Sequence, residues 1–155
     1  MDTRPLPAVR RNWLVMLMWR LHRALYRLSG GRVGGRLLGM PVLLLTTTGR
    51  RSGKPQTRAL TFFAEGRSFI VIASNGGEPL HPAWFLNLRA HPDVQVQIGR
   101  RQMGVRGREV QGAERERLWA RITSLQPSYA RYQARTSRRI PVVVLEPVSG
   151  DQRRE

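Results

Sequence analysis

The sequence predicts an α+β fold, mainly β, in which six short antiparallel strands curl into a small barrel with peripheral helices and an N-terminal amphipathic helix. Three observations predict it. Apolar and β-branched runs of strand length recur between Gly, Pro and Asn turn signals. Successive strands meander with a helix tucked between them, without the helical crossovers that a parallel sheet needs. The first apolar segment repeats with helical spacing instead. A chain of 155 residues holds one domain's core. Composition divides it into a basic helix and glycine-rich joint (1–41), a barrel (42–148) and a charged tail (149–155).

Residues 13–28 form the predicted first helix: its broad apolar face continues through Leu21, Ala24, Leu25 and Leu28, and Arg20, Arg23 and Arg27 share the opposite flank. A basic amphipathic helix suits an anionic membrane surface, met through residues 10–28. The same face equally suits packing on the barrel or on the second subunit of a homodimer. Its wholly apolar run, 13–19, is far shorter than the ~20 residues that cross a bilayer. Arg20, His22 and Arg23 follow that run at once, which argues against an export signal. The expected location is therefore cytoplasmic, at the inner face of the cell membrane if the helix meets lipid.

Ser29-Gly30-Gly31, with Gly34, Gly35 and Gly39, ends the helix and forms the joint. A strand over 42–48 follows, then a predicted hairpin of 57–63 and 68–73 joined through 64–67. Pro82 suits the first turn of a short helix running to about residue 90. The strand over 94–98 alternates Val/Gln/Val/Gln/Ile and meets 102–110 across Gly99-Arg100-Arg101, as in a half-buried antiparallel sheet. Leu118, Trp119, Ile122 and Leu125 place a helix over 113–126, with Glu114 and Glu116 in its first turn. A polar helix over 128–136 sets Tyr129 and Tyr132 on one face, and Pro141 admits a last strand over 142–146.

Charge narrows the function. There are 27 basic residues, all arginine except Lys54, against 10 acidic ones, and the net charge of +17 selects anionic partners. Guanidinium forks bidentately onto phosphate or carboxylate, so phosphates, polyacids, anionic lipid and nucleic acid all qualify. The absence of cysteine excludes disulfides, thiolate nucleophiles and cysteine-ligated metals. His22, His81 and His91 stand apart with no acidic cluster, so no metal site is expected. There is no G-x-S-x-G, no paired carboxylates at helical spacing and no H-E-x-x-H. Chemistry here needs a cofactor.

Two stretches suit one. Residues 46–58, TTTGRRSGKPQTR, combine Thr48, Gly49, Ser52 and Gly53 with the cations Arg50, Arg51, Lys54 and Arg58. Glycines let backbone amides turn toward a phosphate while the cations add charge-assisted donors. The spacing is not that of a Walker A loop, and an exposed basic hairpin turn has the same composition. The second stretch is Ser74-Asn75-Gly76-Gly77, followed by His81-Pro82-Ala83-Trp84. A turn and then a helix start bring amides and the positive helix end together, which suits an anion or a polar ring edge. Trp84, Phe85, Tyr129 and Tyr132 could wall a planar ring or fill a core.

The runs VLLLTTTGRRSGKPQTRALTFF, VIASNGGEPLHPAWFLNLRAHPDVQVQIG, RERLWARI, PSYARYQ and TSRRIPVVVLEP resemble the deazaflavin (coenzyme F420)-dependent nitroreductase and quinone reductase family, over about residues 25–148. The resemblance implies a split β-barrel that binds F420, an 8-hydroxy-5-deazaflavin with an anionic phosphate and oligoglutamate tail. It implies hydride transfer from reduced F420 to a quinone or nitroaromatic acceptor. By this similarity Gly49, Arg50, Arg51, Ser52 and Gly53 hold the phosphate and tail; Thr48 and Lys54 of the same loop are expected to bind with them, and Arg58 to substitute for a missing family cation. Ser74, Asn75, Gly76, Gly77, Trp84 and Asn87 line the deazaflavin, and Pro82 and Ala83 at the helix start are expected to bind the cofactor beside them. Ser74 is expected to donate to the ring edge, and Tyr129 and Tyr132 to orient or protonate the acceptor. Gln56 and Ala59 stand where the family often has Arg and Pro, Asn75 where Lys is frequent, and Gln126 where some members have a third tyrosine. An FMN- or haem-binding split barrel and a basic nucleic-acid module are the alternatives, the latter without a nucleic-acid signature.

Overall fold

A computed structural model describes residues 13–32, 35–37 and 39–148, with side chains from residue 16 onward. The start of the proposed lipid-contact segment, part of the joint and the charged tail lie outside the described residues. In chain order the elements are α1 (Trp13–Ser29), β1 (Arg36–Leu37), β2 (Met40–Thr48), β3 (Pro55–Thr61), β4 (Phe63–Glu65), β5 (Ser68–Ile72), α2 (Ala83–Ala90), β6 (Asp93–Ile98), β7 (Arg101–Glu109), α3 (Gly112–Leu125), α4 (Ser128–Ala134) and β8 (Val142–Pro147). A single 3-10 turn spans Asn75–Gly77.

All the strand pairings are antiparallel, as expected, but there are eight strands among the described residues and not six. The short β1, in the stretch read as a joint, pairs with the start of β2. The other change is at Phe62. The expected hairpin of 57–63 with 68–73 does not form as one unit: β3 pairs along its whole length with β2, and only β4 pairs with β5. Phe62 lies between them with its ring buried. Because β3 and β4 sit at opposite edges of the sheet yet are joined by this one residue, the sheet must curl back on itself. That is how the barrel closes without a ladder between β3 and β4.

Alternation then assigns the faces. Leu43 and Leu45 of β2, Val71 of β5 and Val143 and Leu145 of β8 point into the barrel, around Phe85 and Leu88 of α2. Their neighbours Ile70, Ile72, Val142 and Val144 face outward and are covered by Leu118 and Ile122 of α3 and Tyr129 of α4. Val42 and Leu44 face outward on the other side, beneath Tyr26 of α1. The Tyr26 hydroxyl donates to the Val42 carbonyl at 2.9 Å and accepts from the Gly99 amide at 2.9 Å, which ties the helix to the barrel. A Cβ on Gly107 would lie 2.6 Å from Leu88, so glycine in β7 is what lets α2 seat inside.

Candidate functional site

The glycine loop between β2 and β3 is closed by its own backbone. Gly49 donates to the Lys54 carbonyl at 2.9 Å, Gly53 to Gly49 at 2.8 Å, and the Lys54 amide to the Ser52 hydroxyl at 3.2 Å. The Arg50 amide donates to Oδ1 of Asn87 at 3.1 Å. Four of the amides expected to face an anion are therefore spent inside the protein. What the loop presents is mainly side-chain charge.

Asn87 braces the loop. It is buried in α2; its Oδ1 also accepts from the Arg50 guanidinium at 3.2 Å, and its Nδ2 donates to Thr47 and Gln56 at 3.3 Å each. One side chain thus fixes the strand end, the loop and the start of β3. Gln56, where a family cation was expected, serves as one of its anchors.

The result is a cleft of about 640 Å³. It is lined by Gly49, Arg50, Arg51 and Ser52 of the loop, by Gln56, Thr57 and Arg58 of β3, and by Ala83 and Asn87 of α2. Lys54 and Thr48 belong to the same loop and strand end without lining the cleft. Sequence reasoning missed Arg23 and Arg27 of α1, which complete it. Arg23 donates to the Thr57 carbonyl and Arg27 to the Thr57 hydroxyl, both at 3.1 Å. Burial, together with the guanidiniums of Arg58, Arg27 and Arg20, pushes Arg23 below the ordinary arginine value. Among the described residues the ion pairs lie elsewhere, on arginines 106, 108, 117, 121 and 139. No carboxylate among the described residues pairs with the cleft's cations. The spacing of Arg23 and Arg27 on one flank carried the signal; that the flank faces the cleft did not show.

The second stretch forms a turn in a costly conformation. Asn75, Gly76 and Gly77 have φ of 46°, 64° and 83°, three left-handed residues in succession. Asn75 stays there with its side chain donating to the Leu80 carbonyl at 3.0 Å. Gly77 must be glycine, since a Cβ would lie 2.6 Å from the Tyr132 carbonyl oxygen. Arg138, also missed, clasps the segment. It donates to the carbonyls of Ala73 (3.2 Å), Ser74 (2.7 Å) and Glu78 (2.8 Å) and meets Nδ1 of His81 at 3.1 Å. The Ser74 hydroxyl and the amides of Asn75 and Gly76 stay unpartnered among the described hydrogen bonds.

The two stretches meet through α2. Asn87 holds the cleft loop, Ala83 lines the cleft, and His81, two residues before the same helix, meets Arg138, which also holds the Ser74 carbonyl. Trp84 is buried in the barrel interior, edge-on to Phe85. On the other side of the turn, the Tyr129 and Tyr132 rings pack edge to face, 5.9 Å apart. The Tyr129 hydroxyl shares a 2.9 Å hydrogen bond with Thr61, and burial raises its pKa, so at neutral pH it keeps its proton.

The sequence pattern of the F420H(2)-dependent quinone reductases matches residues 17–147. The chain belongs to that family. An F420H(2)-dependent quinone reductase of Mycobacterium tuberculosis is 44% identical over 130 residues, covering 81% of this chain and 87% of that one. A solved F420-H2 dependent reductase is 41% identical with a TM-score of 0.63, covering 68% of this chain and 94% of that one. A solved domain-swapped dimer is 36% identical with a TM-score of 0.65, covering 87% and 98%. The family makes this chain an oxidoreductase, with F420 as cofactor and a quinone as acceptor. The FMN, haem and nucleic-acid alternatives are not favoured; a haem storage protein of Vibrio cholerae, at 13% identity and a TM-score of 0.54, shares the fold alone.

Proposed function

We propose that the cationic cleft holds the phosphate and acidic tail of coenzyme F420, that the Ser74–Gly77 turn receives the polar edge of its ring, and that Tyr129 and Tyr132 stand on the acceptor side. One observation carries this reading: Arg23, Arg27, Arg50, Arg51 and Arg58 converge on one cleft, with no carboxylate among its described lining residues. Like charges gathered this way repel one another, and a polyanion relieves that repulsion while gaining charge-assisted hydrogen bonds. The donor set therefore fits the tail. When bound, the reduced deazaflavin supplies a hydride to a quinone; a nitroaromatic acceptor is the finer proposal.

Each group of this chain then has a task. Arg51, Arg58, Arg23 and Arg27 bind the tail, and Asn87 positions Arg50 and the loop. Arg138 keeps the Ser74 turn in its left-handed form, leaving the Ser74 hydroxyl and the Asn75 and Gly76 amides to orient the ring. The protonated Tyr129 hydroxyl can hydrogen-bond an oxygen that gains negative charge. The test is a fluorescence titration with F420 beside the same deazaflavin lacking phosphate and tail. F420 is expected to bind tightly and the truncated compound at least about tenfold more weakly. Equal affinity would overturn the cleft's assignment.

A second reading concerns α1. Met16, Leu17, Met18, Leu21 and Leu28 are each at least half exposed, on the same helix as the exposed Arg20, which the cleft does not use. We propose that this face meets anionic lipid. Replacing Leu17, Leu21 and Leu28 with Gln should abolish sedimentation with phosphatidylglycerol vesicles. Unchanged sedimentation refutes it, and a loss of self-association instead points to a dimer. No described helix is long and apolar enough to cross a membrane.

A further inference from the structure

We propose that Arg135 is a catalytic residue of the quinone reduction, its guanidinium offsetting the negative charge that the acceptor gains; this rests on the F420 reading of the cleft and the turn. A quinone that accepts a hydride from reduced F420 takes two electrons and one proton. A C–H bond of the donor breaks, an O–H bond of the acceptor forms, and the product is a hydroquinone monoanion until water supplies a second proton. A cation beside the acceptor oxygen lowers the cost of that charge as it develops.

Arg135 stands where the two halves of the site meet. It directly follows α4, and its amide donates to the Tyr132 carbonyl at 3.1 Å. Its guanidinium lies over the Tyr132 ring, 5.9 Å from the centre. Its stem packs beside the turn, since a Cβ on Gly77 would lie 3.0 Å from the Arg135 Cβ. One residue thus adjoins both the turn assigned to the deazaflavin edge and the tyrosine assigned to the acceptor side.

Neighbouring cations are already occupied. Arg138 spends Nε, Nη1 and Nη2 on the carbonyls of the turn and on His81, and Arg139 pairs with Glu116. Among the described residues Arg135 makes no ion pair, and its guanidinium no hydrogen bond. An aromatic face holds a guanidinium without using its N–H donors, which stay available to an oxygen anion. Arg135 is exposed, so solvent screens its charge. Its effect should therefore be about tenfold, below the roughly 100-fold loss that follows removal of a preorganised oxyanion donor. A cation after a helix also suits the negative end of the helix dipole, a purely structural use that the test must separate.

The test compares lawsone, a hydroxynaphthoquinone that is an anion at neutral pH, with the neutral menadione, each titrated calorimetrically into the full chain saturated with oxidised F420. The unmodified protein should bind the anion more tightly. Arg135→Met keeps a long side chain over Tyr132 without the charge; it should weaken lawsone binding about tenfold, leave menadione binding within about twofold, and lower kcat for menadione about tenfold. Arg135→Lys should retain most of both, and Arg135→Gln replaces the Met variant should that one fail to fold. Arg131→Gln removes a charge from the exposed flank of the same helix and should change neither. No preference for the anion in the unmodified protein, a preference and kcat that survive in Arg135→Met, or an equal loss in Arg131→Gln overturns the proposal. The fluorescence titration with F420 alone reads the cofactor assignment, so its failure is told apart from a failure at Arg135.

Discussion

Gly77 and His81 show how single residues hold this site in shape. At Gly77 a left-handed backbone coincides with contact against the Tyr132 carbonyl, so Gly77→Ala meets both strain and a clash. It should destabilise the fold by about 1–3 kcal/mol, measured by urea denaturation, and weaken F420 binding with it. At His81, burial and the neighbouring guanidiniums of Arg138 and Arg89 hold the imidazole below its ordinary value. The folded protein therefore favours the neutral ring, which accepts from Arg138. Its contribution is complete above the unfolded value of about 6.5 and is lost as the pH falls through the lowered folded value. The melting temperature should drop across that acid range, and His81→Asn, which keeps an acceptor that does not titrate, should flatten the drop.

Among the elements, α1 changes meaning most between sequence and structure. Its periodicity revealed an amphipathic helix with an arginine flank; its packing turns that flank onto Thr57 and makes it a wall of the cofactor cleft. Arg23→Ala with Arg27→Ala should weaken F420 binding by about tenfold and leave the tail-less deazaflavin unaffected, as read by fluorescence titration. Equal loss for both ligands would mean that the helix acts through the fold instead. The β3 and β4 strands teach a related lesson. The strand expected over 57–63 runs straight across Phe62, because strand propensity continues on both sides of it, while Ala64 and Glu65 of β4 read as part of the turn. Which neighbour each half pairs with is a long-range choice that local pattern does not contain.

Over the whole molecule, a net charge of +17 leaves long-range attraction for any anion, but only a local excess makes a site. Arginines 106, 108, 117, 121 and 139 are neutralised in ion pairs at the surface, whereas those of the cleft are not. F420 affinity should therefore fall steadily as salt is raised beyond physiological strength, where the screening length is already about 8 Å. Binding of the tail-less compound should hardly change. A flat salt profile for F420 would place its affinity in the ring contacts.

The helices, most of the strands, the antiparallel class, the alternation of β6 and the glycine loop were legible in the sequence, because turn residues and apolar periodicity are local properties; β1 and the split of β3 from β4 at Phe62 were not. Also legible were the Ser74–Gly77 turn and the pairing of Tyr129 with Tyr132, which lie three apart on one helix face. Asn87 as the bolt of the loop, Arg138 as the clasp of the turn, Thr61 as partner of Tyr129, and Arg23 and Arg27 as walls of the cleft were decided only by the tertiary structure. Each acts on residues 30 or more positions away, across contacts that exist once the sheet has closed through Phe62. Local chemistry thus chose what each segment is, and closure of the barrel chose what each side chain touches.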